Sequence, residues 1–126
     1  MKGPKKILII DDDLEVQVAL KNVFKILGYH SFCACNGEIA LEILSHNILP
    51  SLIFCDLMMP SMNGIEFLSN IKNNSNVRLS TIPIVILSAE SNLEKKVMPF
   101  HVDYLNKTFK IDDLVGIVNR YLPHNP

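Results

Sequence analysis

This chain of 126 residues lacks three features that would have pointed to common functions. It has no strong basic cluster. Twelve Lys and Arg face thirteen Asp and Glu for a net charge of −1, so charge gives no support for direct binding to nucleic acid. It has no apolar run near the roughly 20 residues that a bilayer span takes, so membrane insertion is not expected. The start, Met1-Lys2-Gly3-Pro4-Lys5-Lys6, is basic, but only a short apolar run follows before three aspartates, which reads as a strand rather than a signal peptide. It has no metal-binding cysteine pattern either. Cys33, Cys35 and Cys55 form no CxxC pair, and His30, His46, His101 and His124 are scattered, so spacing offers no zinc site. The thiols lie in or beside apolar runs and read as small buried hydrophobes of a reducing compartment, which makes the cytoplasm the expected location. No linker, repeat or second composition zone divides the chain. The expectation is one domain over residues 1–126 with a core from about 5 to 122.

Hydrophobic residues make up 48% and charged residues 20%, as in a globular protein with a real core. Strand-like and helix-like segments alternate. Residues 6–10, 30–35, 52–55, 84–87 and 102–106 read as strands, the fourth opening after Pro83, where a proline is tolerated. Helical stripes lie between them: Val16, Leu20, Val23 and Leu27, stopped by Gly28; Ala40, Ile43, Leu44 and Ile48, capped by Asn36; Ile65, Leu68 and Ile71 after Gly64. Leu93 and Val97 mark a short helix stopped by Pro99. Ile111, Leu114, Val115, Val118, Tyr121 and Leu122 mark a last one before Pro123. Residues 73–80 read as a polar connector. Five strands alternating with five helices predict an α/β fold, a parallel sheet covered on both faces. Right-handed crossovers restrict the possible strand orders, and the expected one is the doubly wound order 2-1-3-4-5, with its switch point between the first and third strands.

That order brings chemistry to one edge. Asp11, Asp12 and Asp13 follow the first strand, and Asp56 ends the apolar run Leu52, Ile53, Phe54, Cys55. Ser88 follows the fourth strand and Lys107 the fifth. Taken singly, each has an ordinary reading: Asp11 to Asp13 as loop and cap residues, Asp56 as a turn residue, Ser88 as a cap, Lys107 as a surface charge. Together they converge on the sheet edge where ligands bind in such folds. Carboxylates gathered there repel, one pair about 4 Å apart by on the order of 4 kcal/mol. A divalent cation relieves this, and oxygen donors without sulfur or imidazole favour Mg2+, with Mn2+ as the alternative. An acidic pocket with one lysine and one hydroxyl suits a cation and a phosphoryl group held together.

With these pieces in order, Ile-Ile-Asp11-Asp12-Asp13, Asp56-Leu-Met-Met-Pro60, Gly64, Ser88-Ala89-Glu90 and Tyr104-Leu-Asn-Lys107, the chain resembles the response-regulator receiver domain of bacterial two-component systems, in its stand-alone, chemotaxis-regulator form. The resemblance runs from Ile7 to Leu122 and itself implies the flavodoxin-like strand order. It implies that Asp56 accepts a phosphoryl group from a phosphohistidine on a sensor kinase or phosphotransfer protein. Mg2+ is then held by Asp11, Asp12, Asp56 and the backbone carbonyl of Met58. Lys107 and Ser88 contact the phosphoryl oxygens, and Ser88 and Tyr104 act as the switch. The surface of the fourth helix, fifth strand and last helix then changes its affinity for a downstream protein, the domain remaining a monomer or dimerising on phosphorylation. Such a domain catalyses only its own modification and is a switch more than an enzyme. Met58 and Glu90 lie where family members tune the lifetime of the phosphorylated state.

Two stretches depart from the family. The residue after the lysine is usually proline, with a cis bond between them, and here it is Thr108. Pro99-Phe100-His101 is bulkier than usual before the fifth strand. Because the chain ends soon after the last helix, the expectation is a receiver without an output domain, an excised piece of a larger regulator being the alternative. Two rivals need other residues. A Mg-dependent aspartyl-phosphate phosphatase usually has a second acid two residues after the nucleophile, where this chain has Met58. A flavin carrier needs a hydroxyl- or glycine-rich phosphate loop after the first strand, where this chain has three aspartates.

Overall fold

The computed structural model describes residues 5–90 and 92–122; the basic start up to Pro4, and Pro123 and His124 at the other end, lie outside them. Its elements are β1 (Lys6–Ile10), α1 (Leu14–Ile26), β2 (His30–Ala34), α2 (Gly37–Ser45), β3 (Leu52–Asp56), α3 (Gly64–Lys72), α4 (Val77–Ser80), β4 (Ile84–Ser88), α5 (Leu93–Val97), β5 (Asp103–Asn106) and α6 (Ile111–Tyr121), with a single 3-10 turn at Met98–Phe100. The strands form one parallel sheet, as the alternation predicts, in the order β2-β1-β3-β4-β5 that the family resemblance implies.

Side chains alternate across a strand, and the alternation divides the core in two. Leu8, Ile10, Ile53, Cys55, Ile84 and Ile86 point to one face and pack with Ala40 and Leu44 of α2 and Phe67, Leu68 and Ile71 of α3. Ile7, Ile9, Leu52, Phe54, Val85, Leu87 and Leu105 point to the other, beneath Leu20 and Phe24 of α1 and Leu114, Ile117 and Val118 of α6. The rings of Phe24 and Phe54 meet there at 5.3 Å. A sheet covered on both sides explains why its central strands read as continuous apolar runs.

The described residues hold six α-helices rather than five. The extra one, α4, lies in the stretch read as a polar connector. Asn76 caps it by accepting from the Arg78 N–H, and Leu79 anchors it in the core. Ile48 is not on the face of α2. That helix ends at Ser45, Asn47 turns left-handed (φ 63°), and Ile48 lies exposed beyond it. Asparagine tolerates that conformation because its side chain can bond locally. Ile111 is likewise exposed, sitting in the first turn of α6 before the buried stripe starts at Leu114. Gly28 (φ +92°) follows α1 in the left-handed conformation that ends helices, and Leu27 precedes it as the last cap. Among the described residues no helix is long and apolar enough to cross a membrane, and the three cysteines are free.

Candidate functional site

The sheet's alternation also places the site. Asp11 continues the Ile7, Ile9 series, Asp56 the Leu52, Phe54 series, and Lys107 follows Leu105 at the same spacing, so all three fall on the α1/α6 side. Strands β1 and β3 are paired up to Ile10 and Cys55, which puts the two aspartates side by side as the ladder ends. The Lys107 ammonium lies 3.0 Å from Asp11 Oδ2 and 3.2 Å from Asp56 Oδ2. Carboxylate oxygens of Asp11, Asp12 and Asp56 all come within 4.8 Å of one another.

The aspartate run divides by role. Asp13 is the N-cap of α1, its side chain accepting from the Glu15 N–H at 2.9 Å, and its own N–H donates to Asp11 Oδ1 at 2.9 Å. Asp12 is exposed at the rim, whereas Asp11 and Asp56 are buried. Burial lifts the Asp56 carboxyl above the usual carboxylate range and the Asp11 charge adds to this, outweighing the pull of Lys107 and of the Met58 N–H. Burial works against the Lys107 ammonium, but its contacts with Asp11 and Asp56 hold its proton more firmly than in water. Asp11 Oδ2 is buried without a hydrogen-bond partner among the described residues. Lys107 meets its charge at 3.0 Å as an ion pair. A buried carboxylate oxygen with spare lone pairs, beside two more carboxylates and no sulfur or imidazole in the group, fits a hard divalent cation.

An open cleft of about 460 Å³ extends from these groups, lined by Asp12, Asp56, Met58, Ser88, Glu90 and Lys107 among others. The loop leaving β3 is folded against Gly64, whose N–H donates to the Leu57 carbonyl at 2.8 Å. The Met58 N–H reaches back to Asp56 Oδ1 at 3.3 Å. Ser88 ends β4 on the other face of the sheet by alternation, is buried, and its hydroxyl oxygen accepts from the Glu90 N–H at 3.1 Å. Glu90 is ion-paired with Lys96 of α5. Tyr104 lies opposite Ile86 in the β4–β5 register with 39% of its surface exposed, away from the Asp11–Asp56–Lys107 group.

No peptide bond among the described residues is cis, so Lys107–Thr108 is trans. The Lys107 N–H donates to the Ser88 carbonyl at 2.9 Å, and the Asn106 side chain accepts from both the N–H and the hydroxyl of Thr108. Sequence reasoning does not single out Gln17, whose Nε2 donates to the Asp11 carbonyl at 2.6 Å from a buried position on α1. The available signal was a polar residue in register with Leu20 and Phe24.

Comparison with known proteins shows the family. The family model for the response regulator receiver domain matches residues 7–119. Sporulation initiation phosphotransferase F of Bacillus subtilis is 35% identical over 123 residues, covering 94% of each chain. The transcriptional regulatory protein CrdR of Helicobacter pylori is 33% identical over 97% of this chain, which spans only 57% of that relative's length. The crystal structure of a putative response regulator from Chloroflexus aurantiacus superposes with a TM-score of 0.86 at 28% identity, over 96% of this chain and 99% of the other. The chain belongs to the response regulator receiver domain family, whose members are signalling switches of two-component systems.

Proposed function

We propose that this chain is a phosphoacceptor switch in which Asp56 takes a phosphoryl group from a phosphohistidine of a partner kinase or phosphotransfer protein. The observation that carries the reading is the Lys107 ammonium set between the carboxylates of Asp11 and Asp56, at 3.0 and 3.2 Å, at the open edge of the sheet. An Asp56 carboxylate oxygen attacks phosphorus, the P–O bond forms as the P–N bond breaks, and the imidazole leaves as neutral histidine after taking up a proton. Lys107 pairs with the phosphoryl oxygens as their charge comes to lie against Asp56, and the Ser88 hydroxyl donates to another of them. Asp11, Asp12, Asp56 and the Met58 carbonyl hold Mg2+, or Mn2+. The ion supplies neutralisation of the acidic pocket and of the incoming phosphoryl group. Transfer of this kind depends on position and charge rather than on a separate acid or base.

The added charge is the signal. Ser88 turns from the Glu90 N–H toward the phosphoryl group, Tyr104 moves into the space it leaves, and the surface of α5, β5 and α6 changes its affinity for a downstream protein. Support for a kinase-type donor comes from relatives that include the sporulation phosphotransferase and a histidine kinase of Formosa agariphila, 36% identical over 89% of this chain. The test is incubation with phosphoramidate and Mg2+ followed by intact-protein mass measurement. One phosphoryl group should be added to the wild type and none to Asp56→Asn, and EDTA should prevent the addition. Equal labelling of both proteins would defeat the assignment of Asp56.

A further inference from the structure

Lys107 is a long side chain on a turn, and its ammonium reaches two carboxylates only if the root of the chain is fixed. In the family that the chain resembles the next residue is usually proline; here it is Thr108, and the bond before it is trans. Three successive backbone N–H groups leave the sheet edge at this point, and each has a partner. Lys107 N–H donates to the Ser88 carbonyl at 2.9 Å, Thr108 N–H to Asn106 Oδ1 at 2.9 Å, and Phe109 N–H to the Asn106 carbonyl at 2.9 Å. The Thr108 hydroxyl adds a second bond to the same Asn106 oxygen at 2.8 Å. Asn106 therefore accepts every bond of the turn beyond the one that joins it to β4. A proline at 108 would have neither of the donors that Thr108 supplies.

We propose that Asn106 is the positioning residue for Lys107: its carboxamide oxygen, by accepting both bonds from Thr108, fixes the turn that carries the ammonium onto Asp11 and Asp56. The inference rests on the proposed phosphoacceptor function and adds to it how this chain does without the proline. A local Asn-centred turn of this kind mimics a backbone turn and restricts the following residues. Loss of the restriction leaves the acids and the fold in place but spreads the Lys107 ammonium over several positions, which slows a reaction that depends on placement.

The initial rate of Mg2+-dependent labelling by saturating phosphoramidate, measured beside the melting temperature, tests this. Asn106→Leu should label about tenfold more slowly than the wild type, whereas Asn106→Asp, which keeps an acceptor oxygen at the same place, should stay within about twofold. Thr108→Val, which removes one of the two donors, should fall between them with an unchanged melting temperature. If Asn106→Leu does not fold, Thr108→Val carries the test, and the wild-type rate in that variant overturns the proposal. A wild-type rate in Asn106→Leu, or equal slowing in the Leu and Asp variants, overturns it as well. In either case labelling that Asp56→Asn abolishes leaves the phosphoacceptor reading standing. A wild type that takes no label overturns both.

Discussion

A Cβ at position 64 would lie 2.5 Å from the carbonyl oxygen of Asp56 and 2.8 Å from the Cα of Leu57, backbone atoms that cannot swing aside. The loop after β3 can fold over the start of α3 only because residue 64 has no side chain. Gly64→Ala should therefore destabilise the protein by about 2 kcal/mol in urea titration, as overpacking does. It should also slow labelling of Asp56, since the clash is relieved by moving the segment that holds the carboxylate. Stability and labelling at wild-type levels would mean that the loop yields without cost. At the scale of single residues the sequence was informative about which side chains gather and less so about how they divide the work. Asp11, Asp12 and Asp56 come together as the strand order predicts, and Lys107 joins them. The split within the run, with Asp13 capping α1, depends on where the helix begins, which a string of three equivalent carboxylates does not reveal. Gln17 stayed hidden because a polar residue in a helical stripe more often faces water than a backbone carbonyl.

Between elements, α6 is tied to β5 by charge as well as by packing. Asp103 Oδ2 accepts from Arg120 at 2.7 Å and from the Tyr121 hydroxyl, and partial burial together with Asp103 pushes the Tyr121 phenol from near 10 up to about 12. A phenol whose pKa is higher in the folded protein gives stability that is complete below the unfolded value and is lost as the pH rises through the folded one. Tyr121→Phe should thus cost about 1 kcal/mol at neutral pH, and the difference from wild type should narrow between pH 10 and 12. A gap that stays constant over that range, in denaturation at a series of pH values, would show that the hydroxyl contributes nothing through its proton. Long apolar elements were legible because their periodicity is strong: all five strands and the helices α1, α3 and α6 lie where alternation and spacing predict. The short α5 also lies where Leu93 and Val97 predict it, but the still shorter α4 was not legible. A helix of four residues such as α4 has barely one turn in which to show a period, and its only marker, Asn76 as cap, is equally at home in a loop. The end of α2 was missed for a similar reason. Ile48 fits the apolar spacing, but Asn47 takes the left-handed conformation and ends the helix first.

For the molecule as a whole, folding collects charges that the extended chain keeps apart. Asp11 leaves β1, Asp56 ends β3 and Lys107 follows β5, so their repulsion and attraction belong to the folded state alone. Burial disfavours the ionised Asp56, and the Lys107 ammonium is the one positive group recorded against both buried carboxylates among the described residues. Removing it by Lys107→Ala leaves the acids facing each other. Breaking a fully buried pair costs about 3–5 kcal/mol. Here Lys107 keeps 24% of its side-chain surface exposed and Asp56 can take up a proton, so a loss of about 2 kcal/mol in EDTA is expected. The sign of the pH dependence follows. A carboxyl whose folded pKa lies above its unfolded value takes stability away at high pH and returns it as the pH falls through that range, so the deficit should shrink as the solution is acidified from neutrality. A cation bound by the same acids stabilises the fold by mass action, by about 2.7 kcal/mol at a hundredfold excess over its dissociation constant. With the lysine gone, Mg2+ is the remaining source of positive charge at the edge. Its addition should raise the melting temperature of Lys107→Ala by more than it raises that of the wild type, and should raise that of Asp56→Asn by less. Equal gains in all three proteins would mean that ammonium and cation answer to different groups, and that the clustered carboxylates are not the ion's ligands.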